Sequence, residues 1–283
     1  MIKANIQRLK RRKPMDLFLL CITWLFAGVT LTALLFIIVH VLVRGIPHLS
    51  LSLFETTYTT ANVSMFPAII STVYMVGLTL VIAVPLGIFT SIYLIEYMST
   101  GSKFVKVIRA GAEMLAGIPS VVYGLFGALL FVEFLGFGWS LIAGSLTLSI
   151  MILPMVIRTT EEALKSVQGG FREGGFALGA GRLRVVFRLV LPSAIPGILT
   201  GVILAIGRII GESAALIFTA GTVPQVPQTL TNSARTLSVH MWALSGEAHH
   251  TNEAYATAVI LLVVVLVINT ISAMLARVLI RNR

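Results

Sequence analysis

The sequence predicts an all-α integral membrane protein, a bundle of six spans with both ends in the cytoplasm. Three observations carry this. Of 283 residues, 57% are apolar and only 11% are charged, against roughly 25% charged in a typical soluble domain. Six apolar runs approach or exceed the roughly 20 residues a bilayer-crossing helix needs. Finally, Lys and Arg concentrate in alternate loops, as they do on the cytoplasmic side of membrane proteins. A mean hydropathy of +0.97 excludes a disordered chain, which would be polar and charged. The runs are continuous, which excludes the ten-residue alternation of a membrane barrel.

A basic cytoplasmic segment, residues 1–16, carries Lys3, Arg8, Lys10, Arg11, Arg12 and Lys13. The run that follows, 17–43, is longer than the 7–15 apolar residues of a signal peptide and has no clear A-x-A site, so it reads as an uncleaved first span. Residues 44–67 form an external loop. A membrane core is expected over 68–278, with spans near 68–95, 115–134, 141–157, 194–218 and 254–275, before a cytoplasmic tail at 279–283. Cytoplasmic segments then hold 18 of the 21 Lys and Arg, only Arg44 and Arg235 lie outside, and Arg208 sits within the fifth span. The formal charge of +10 is therefore a matter of topology, and nucleic acid is not an expected partner.

No energy-converting or catalytic site is legible. Nothing fits the G-x-x-x-x-G-K-[ST] loop that cradles nucleotide phosphates, and no Ser/His/Asp set or H-E-x-x-H is present. The single cysteine, Cys21, reads as packing. His249 and His250, near Glu247 and Glu253, read as a solvated external loop, so no cofactor or metal is expected.

The loop 158–192 mixes helix formers with apolar residues and is broken by Gly169-Gly170 and Gly179-Gly181, so short helices that need cover are expected. Within it, Glu173-Gly174-Gly175 is followed after three residues by Gly179, and after nine more by Leu189-Val190-Leu191-Pro192. This resembles the E-A-A-x3-G-x9-I-x-L-P loop of ABC-transporter permeases, with Gly174 and Gly175 in place of two alanines and Leu189 in place of Ile. The resemblance implies two short helices, turned at a glycine, that dock on a separate ATPase subunit.

The fifth span carries Gly207-Arg208-Ile209-Ile210-Gly211-Glu212. Charges within a membrane helix normally pair or line a pathway, and the i, i+4 spacing lets Arg208 and Glu212 touch. Gly197, Gly201, Ala205, Arg208 and Glu212 share one stripe of the helix. A guanidinium suits an oxyanion, because its planar fork donates paired hydrogen bonds; packing by a buried ion pair is the alternative role. The run 207–214 resembles the Arg/Glu motif of phosphate-importer permeases. Residues 116–127, AGIPSVVYGLFG, resemble their third-span signature, and 235–241, RTLSVHM, resemble the last external loop of the A-type subunit.

The resemblance implies the fold of a type I ABC importer permease, the MetI-like class. It also implies the partners: a homologous C-type permease in a heterodimer, two copies of an ATP-binding subunit, an external phosphate-binding protein, inorganic phosphate and the lipid bilayer. The expected role is a non-catalytic subunit in the plasma (inner) membrane, with ATP hydrolysed by the partner chain. Another oxyanion such as phosphonate, sulfate or molybdate is the nearest alternative, and a channel or regulatory scaffold is a more distant one.

Overall fold

The computed structural model describes residues 14–98, 101–247 and 249–281. The basic cluster Lys3 to Lys13 and the terminal Arg283 lie outside the described residues. Among the described residues the chain is helix and turn throughout, with no strand.

Helix α1 spans Pro14–Gly45 and is followed by two 3-10 turns, Ile46–His48 and Leu51–Phe54. Helix α2, Phe66–Ile92, runs on into a π-helical turn, Tyr93–Tyr97. Helix α3 covers Lys103–Ala116. Helix α4, Ser120–Gly127, continues as a π-helix, Ala128–Phe134. Helix α5 is Leu141–Ser166 and α6 is Gly169–Ala177. Helix α7, Arg182–Val185, passes through a π-helical stretch, Val186–Val190, into α8, Leu191–Gly211. Short helices α9, Ala214–Thr219, and α10, Leu237–Gly246, precede α11, Thr251–Arg281.

Five stretches are long and apolar enough to cross a bilayer: Phe18–His48, Phe66–Tyr97, Leu141–Ser166, Arg182–Gly211 and Thr251–Met274. The expected third span differs. Its residues divide between α3 and α4, which meet at 104°. Pro119 is the reason: it stands extended at φ −61°, ψ 143°, and a proline also drives the residue before it out of the helical region. The arm 120–134 is about 22 Å long at helical rise, short of the roughly 30 Å apolar core of a bilayer. The fourth span runs past 157 to Ser166, and the fifth stops at Gly211 instead of reaching 218.

The core lies where α2, α5 and α8 meet, around Met75, Leu148, Ile152, Ala205 and Ile210. Helices α2 and α5 pack closely and are pinned by side chains. Ser91 Oγ donates to Ile157 O at 2.9 Å, and Ser149 Oγ donates to Thr79 O at 3.3 Å. Helix α1 stands apart: none of its central apolar window is buried within the chain, and it packs on α11 through Gly45, against Tyr255 and Val259.

Candidate translocation site and docking loop

Arg208 sits in the last turn of α8 and is exposed within this chain. The pair anticipated with Glu212 does not form. The helix ends at Gly211, and Glu212 turns extended at φ −77°, ψ 126°. Its carboxylate accepts from Ala215 N at 3.1 Å at the start of α9, where a negative charge is favoured by the free N–H groups of a helix N-terminus. Its carbonyl accepts from Ser238 Oγ of α10 at 2.6 Å. Glu212 therefore joins three helices at a helix break and leaves Arg208 without an ion pair. What offsets the Arg208 charge locally is the C-terminal end of α8, whose unpaired carbonyls favour a cation.

Arg208 opens into a cavity of about 420 Å³ whose wall also carries Arg109, Glu113, Arg158, Glu161, Glu162 and Lys165. Most of these charges are spoken for. Glu161, nearly buried, is bonded to Arg109 at 3.0 Å and to Lys165 at 3.1 Å, and Arg158 meets Glu162 at 3.3 Å. Arg208 makes neither an ion pair nor a hydrogen bond among the described residues. The cavity thus presents one uncommitted guanidinium beside three basic and three acidic side chains. Chemically, it can receive a small oxyanion through paired N–H donors. Sequence reasoning missed Arg109, Glu161 and Lys165 as cavity residues. The i, i+4 pairs Arg158/Glu162 and Glu161/Lys165 were the available signal, whereas the partnership of Arg109 with a residue 52 positions away left none.

The glycines of α8 divide by position. Gly197 and Gly201 pack within the chain: a Cβ at Gly197 would stand 2.6 Å from that of Ala163, and one at Gly201 would collide with Thr159. Gly207 and Gly211 face open space. The 116–127 signature proves to be a packing motif for the residues beyond Glu212, since a Cβ at Gly124 would lie 2.9 Å from the Cα of Ala215.

The 158–192 segment begins as the end of α5 and ends as the start of α8; between them lie two helical arms. Gly179, at φ +77°, turns the chain in a conformation that L side chains rarely adopt. The two substituted glycines differ in use. Gly174 has nothing near its missing Cβ. Gly175 is buried against the second arm, where a Cβ would stand 2.9 Å from Val185 and from Leu189. Pro192 opens the straight run of α8 beside Leu191. Phe171, Phe176, Leu178, Leu183 and Phe187 are exposed. Glu173 lies on the first arm without a partner among the described residues.

On the far side of the molecule, Arg235 Nε donates to Thr222 O, and its guanidinium lies over the Tyr58 ring at 5.6 Å. One Nη approaches Nδ1 of the fully buried His240 at 3.4 Å. Burial first, and then the Arg235 charge, push the His240 pKa down to about 4.

Residues 83–283 match the family described as binding-protein-dependent transport system inner membrane component. The chain belongs to that family. Proteins similar to it include a probable ABC transporter permease protein, YqgI, from Bacillus subtilis, 36% identical over 72% of this chain and 74% of that protein. The phosphate transport system permease protein PstA of Haemophilus influenzae is 31% identical over 91% of this chain and 92% of that protein. Among solved structures, a bacterial alginate ABC transporter in complex with a pentasaccharide-bound periplasmic protein aligns with TM-score 0.63 over 90% of this chain and 94% of that one. The inward-facing MetNI methionine transporter aligns with TM-score 0.59 over 76% and 94%. Both are 18% identical and speak to the fold alone, that of an ABC importer permease.

Proposed function

We propose that the chain is the A-type membrane permease subunit of an ATP-driven importer of inorganic phosphate. The observation that carries it is Arg208, a guanidinium without a partner in a cavity whose other basic residues are paired. The similarity to PstA proteins, extending over most of both chains, supports phosphate as the anion. Arg208 would offer a passing phosphate its fork of donors, and Glu212 would hold open the helix break just beyond it. The exposed apolar residues of the two arms would dock on a cytoplasmic ATP-binding subunit, with Glu173, Gly174, Gly175, Gly179, Leu189, Leu191 and Pro192 shaping the dock. The half-buried Gly207 and the exposed Gly211, each with open space beside it, would admit the C-type partner closely, since small residues let helices approach. An external phosphate-binding protein would deliver the anion.

The test is uptake by proteoliposomes holding this chain with its C-type partner, its ATPase and its binding protein. ATP-dependent accumulation of phosphate, not diluted by excess sulfate, molybdate or phosphonate, is the expected result. Accumulation of one of those anions in preference to phosphate would replace the substrate, and accumulation without ATP would favour a channel.

A further inference from the structure

Both arms of the 158–192 loop close on one spot, the π-helical turn Tyr93–Tyr97 that ends α2. From the first arm, Arg172 reaches Glu96. Its Nη2 donates to Oε1 at 2.7 Å and its Nε to the same oxygen at 3.1 Å. The same guanidinium donates from Nη1 to Val167 O at 3.0 Å and from Nη2 to Leu164 O at 2.9 Å. Four of the five N–H donors of an arginine are thus engaged. The two carbonyls belong to the end of α5, where a helix has no partners of its own for them. Glu96 is only 8% exposed and Arg172 22%, so neither charge is solvated well enough to stand alone. From the second arm, the Arg182 guanidinium lies over the Tyr97 ring at 5.7 Å. Beneath both, Ile92 packs with Leu164, Val185 and Val190.

The covalent routes from the loop lead into α5, at Ser166, and into α8, through the π-helical stretch 186–190. The grip on Glu96 and Tyr97 supplies a further, non-covalent route, into α2. π-turns interrupt the regular ladder and recur at functional sites. We infer that the turn Tyr93–Tyr97, held by Arg172 through Glu96 and by Arg182 through Tyr97, is a receiver through which displacement of the docking loop moves α2 in step with α5 and α8. Arg172 is the positioning residue of this link. It acts through Glu96 and the α5 carbonyls and touches no substrate. The inference rests on the proposed docking of the loop on an ATPase.

The experiment uses the assembled transporter carrying Arg172→Met, Arg172→Lys or Glu96→Gln. The docking residues Phe176, Leu178 and Leu183 are untouched, so ATPase subunits should co-purify and hydrolysis should persist. Substrate moved per ATP should fall about tenfold in Arg172→Met, within the reach of mutations that alter coupling. Arg172→Lys should recover part of it, since an ammonium keeps the charge without the fork. Spin labels at Gly170 on α6 and Phe89 on α2, in a Cys21→Ser background, supply a readout that needs no substrate. Their separation should hold constant between nucleotide-free and ATP-trapped complexes in the parent and change in Arg172→Met. Unaltered transport per ATP in Arg172→Met, a parent distance that changes as much as the variant's, or failure of both Arg172→Met and Glu96→Gln to assemble would overturn the inference. A parent that imports no phosphate but keeps the label distance fixed would sink only the proposed substrate.

Discussion

Arg208 owes its position to the end of a helix. With Glu212 committed to Ala215 N, the two residues should respond differently to neutralisation. Arg208→Gln removes the charge and the fork, and phosphate uptake per assembled complex should drop sharply, with Arg208→Lys intermediate. Glu212→Gln retains a side-chain oxygen that can accept from Ala215 N, so uptake should stay within about twofold; Glu212→Ala should cost about 1 kcal/mol of stability through the lost cap. Equal, severe losses in Arg208→Gln and Glu212→Gln would restore the ion pair as the working unit. His240 makes a pH prediction. Its pKa falls from 6.5 to about 4 on burial beside Arg235, so between those values the unfolded chain binds a proton that the folded chain refuses. Stability is complete above pH 6.5, declines as pH drops below it, and levels off near pH 4. Thermal unfolding in detergent should show a loss of about 2 kcal/mol between pH 6.5 and 5, absent in His240→Gln.

At the scale of elements, the loop makes a paired prediction. Gly174→Ala adds a methyl into open space on a helix, where Ala is favoured over Gly by about 1 kcal/mol, so transport should be unchanged. Gly175→Val drives side-chain atoms into Val185 and Leu189 and should part the arms, lowering both ATPase co-purification and uptake. Gly179→Val has space around it but the wrong φ, a strain of roughly 1–2 kcal/mol, and should weaken docking while the spans insert normally. Five of the six spans were legible as apolar runs because a bilayer imposes a length on them. The turn at Gly179 was legible because only glycine is comfortable there. The 104° break at Pro119 falls inside the expected third span, since hydropathy is blind to direction. The end of α8 at Gly211 was missed for a different reason. Residues 212–218 stay apolar enough to continue a span, and only the tertiary contacts of Glu212 with α9 and α10 stop it. Arg172 with Glu96, and Arg109 with Glu161, pair across 76 and 52 residues, a separation that no local pattern announces.

At the scale of the whole molecule, the chain carries a charged cavity and broad apolar faces but no nucleotide-phosphate loop. The purified chain by itself should therefore hydrolyse no ATP, and addition of its ATP-binding partner should be what brings hydrolysis; turnover by the isolated polypeptide, free of contaminating ATPase, would contradict this. Many exposed large apolar side chains lie on α1 and on the outer faces of the bundle, where lipid and partner subunits would take the place of a core. The seating of α1 on α11 through Gly45, Tyr255 and Val259 also sets an order in time. Helix α1 is made long before α11 and finds this neighbour only when α11 emerges, and contacts so distant along a chain are slow to form. Through most of synthesis α1 must wait as a lone rod in lipid. Maturation of this subunit is then timed by α11, and a chain released before residue 251 would present the quality-control proteases of the membrane with an orphaned α1.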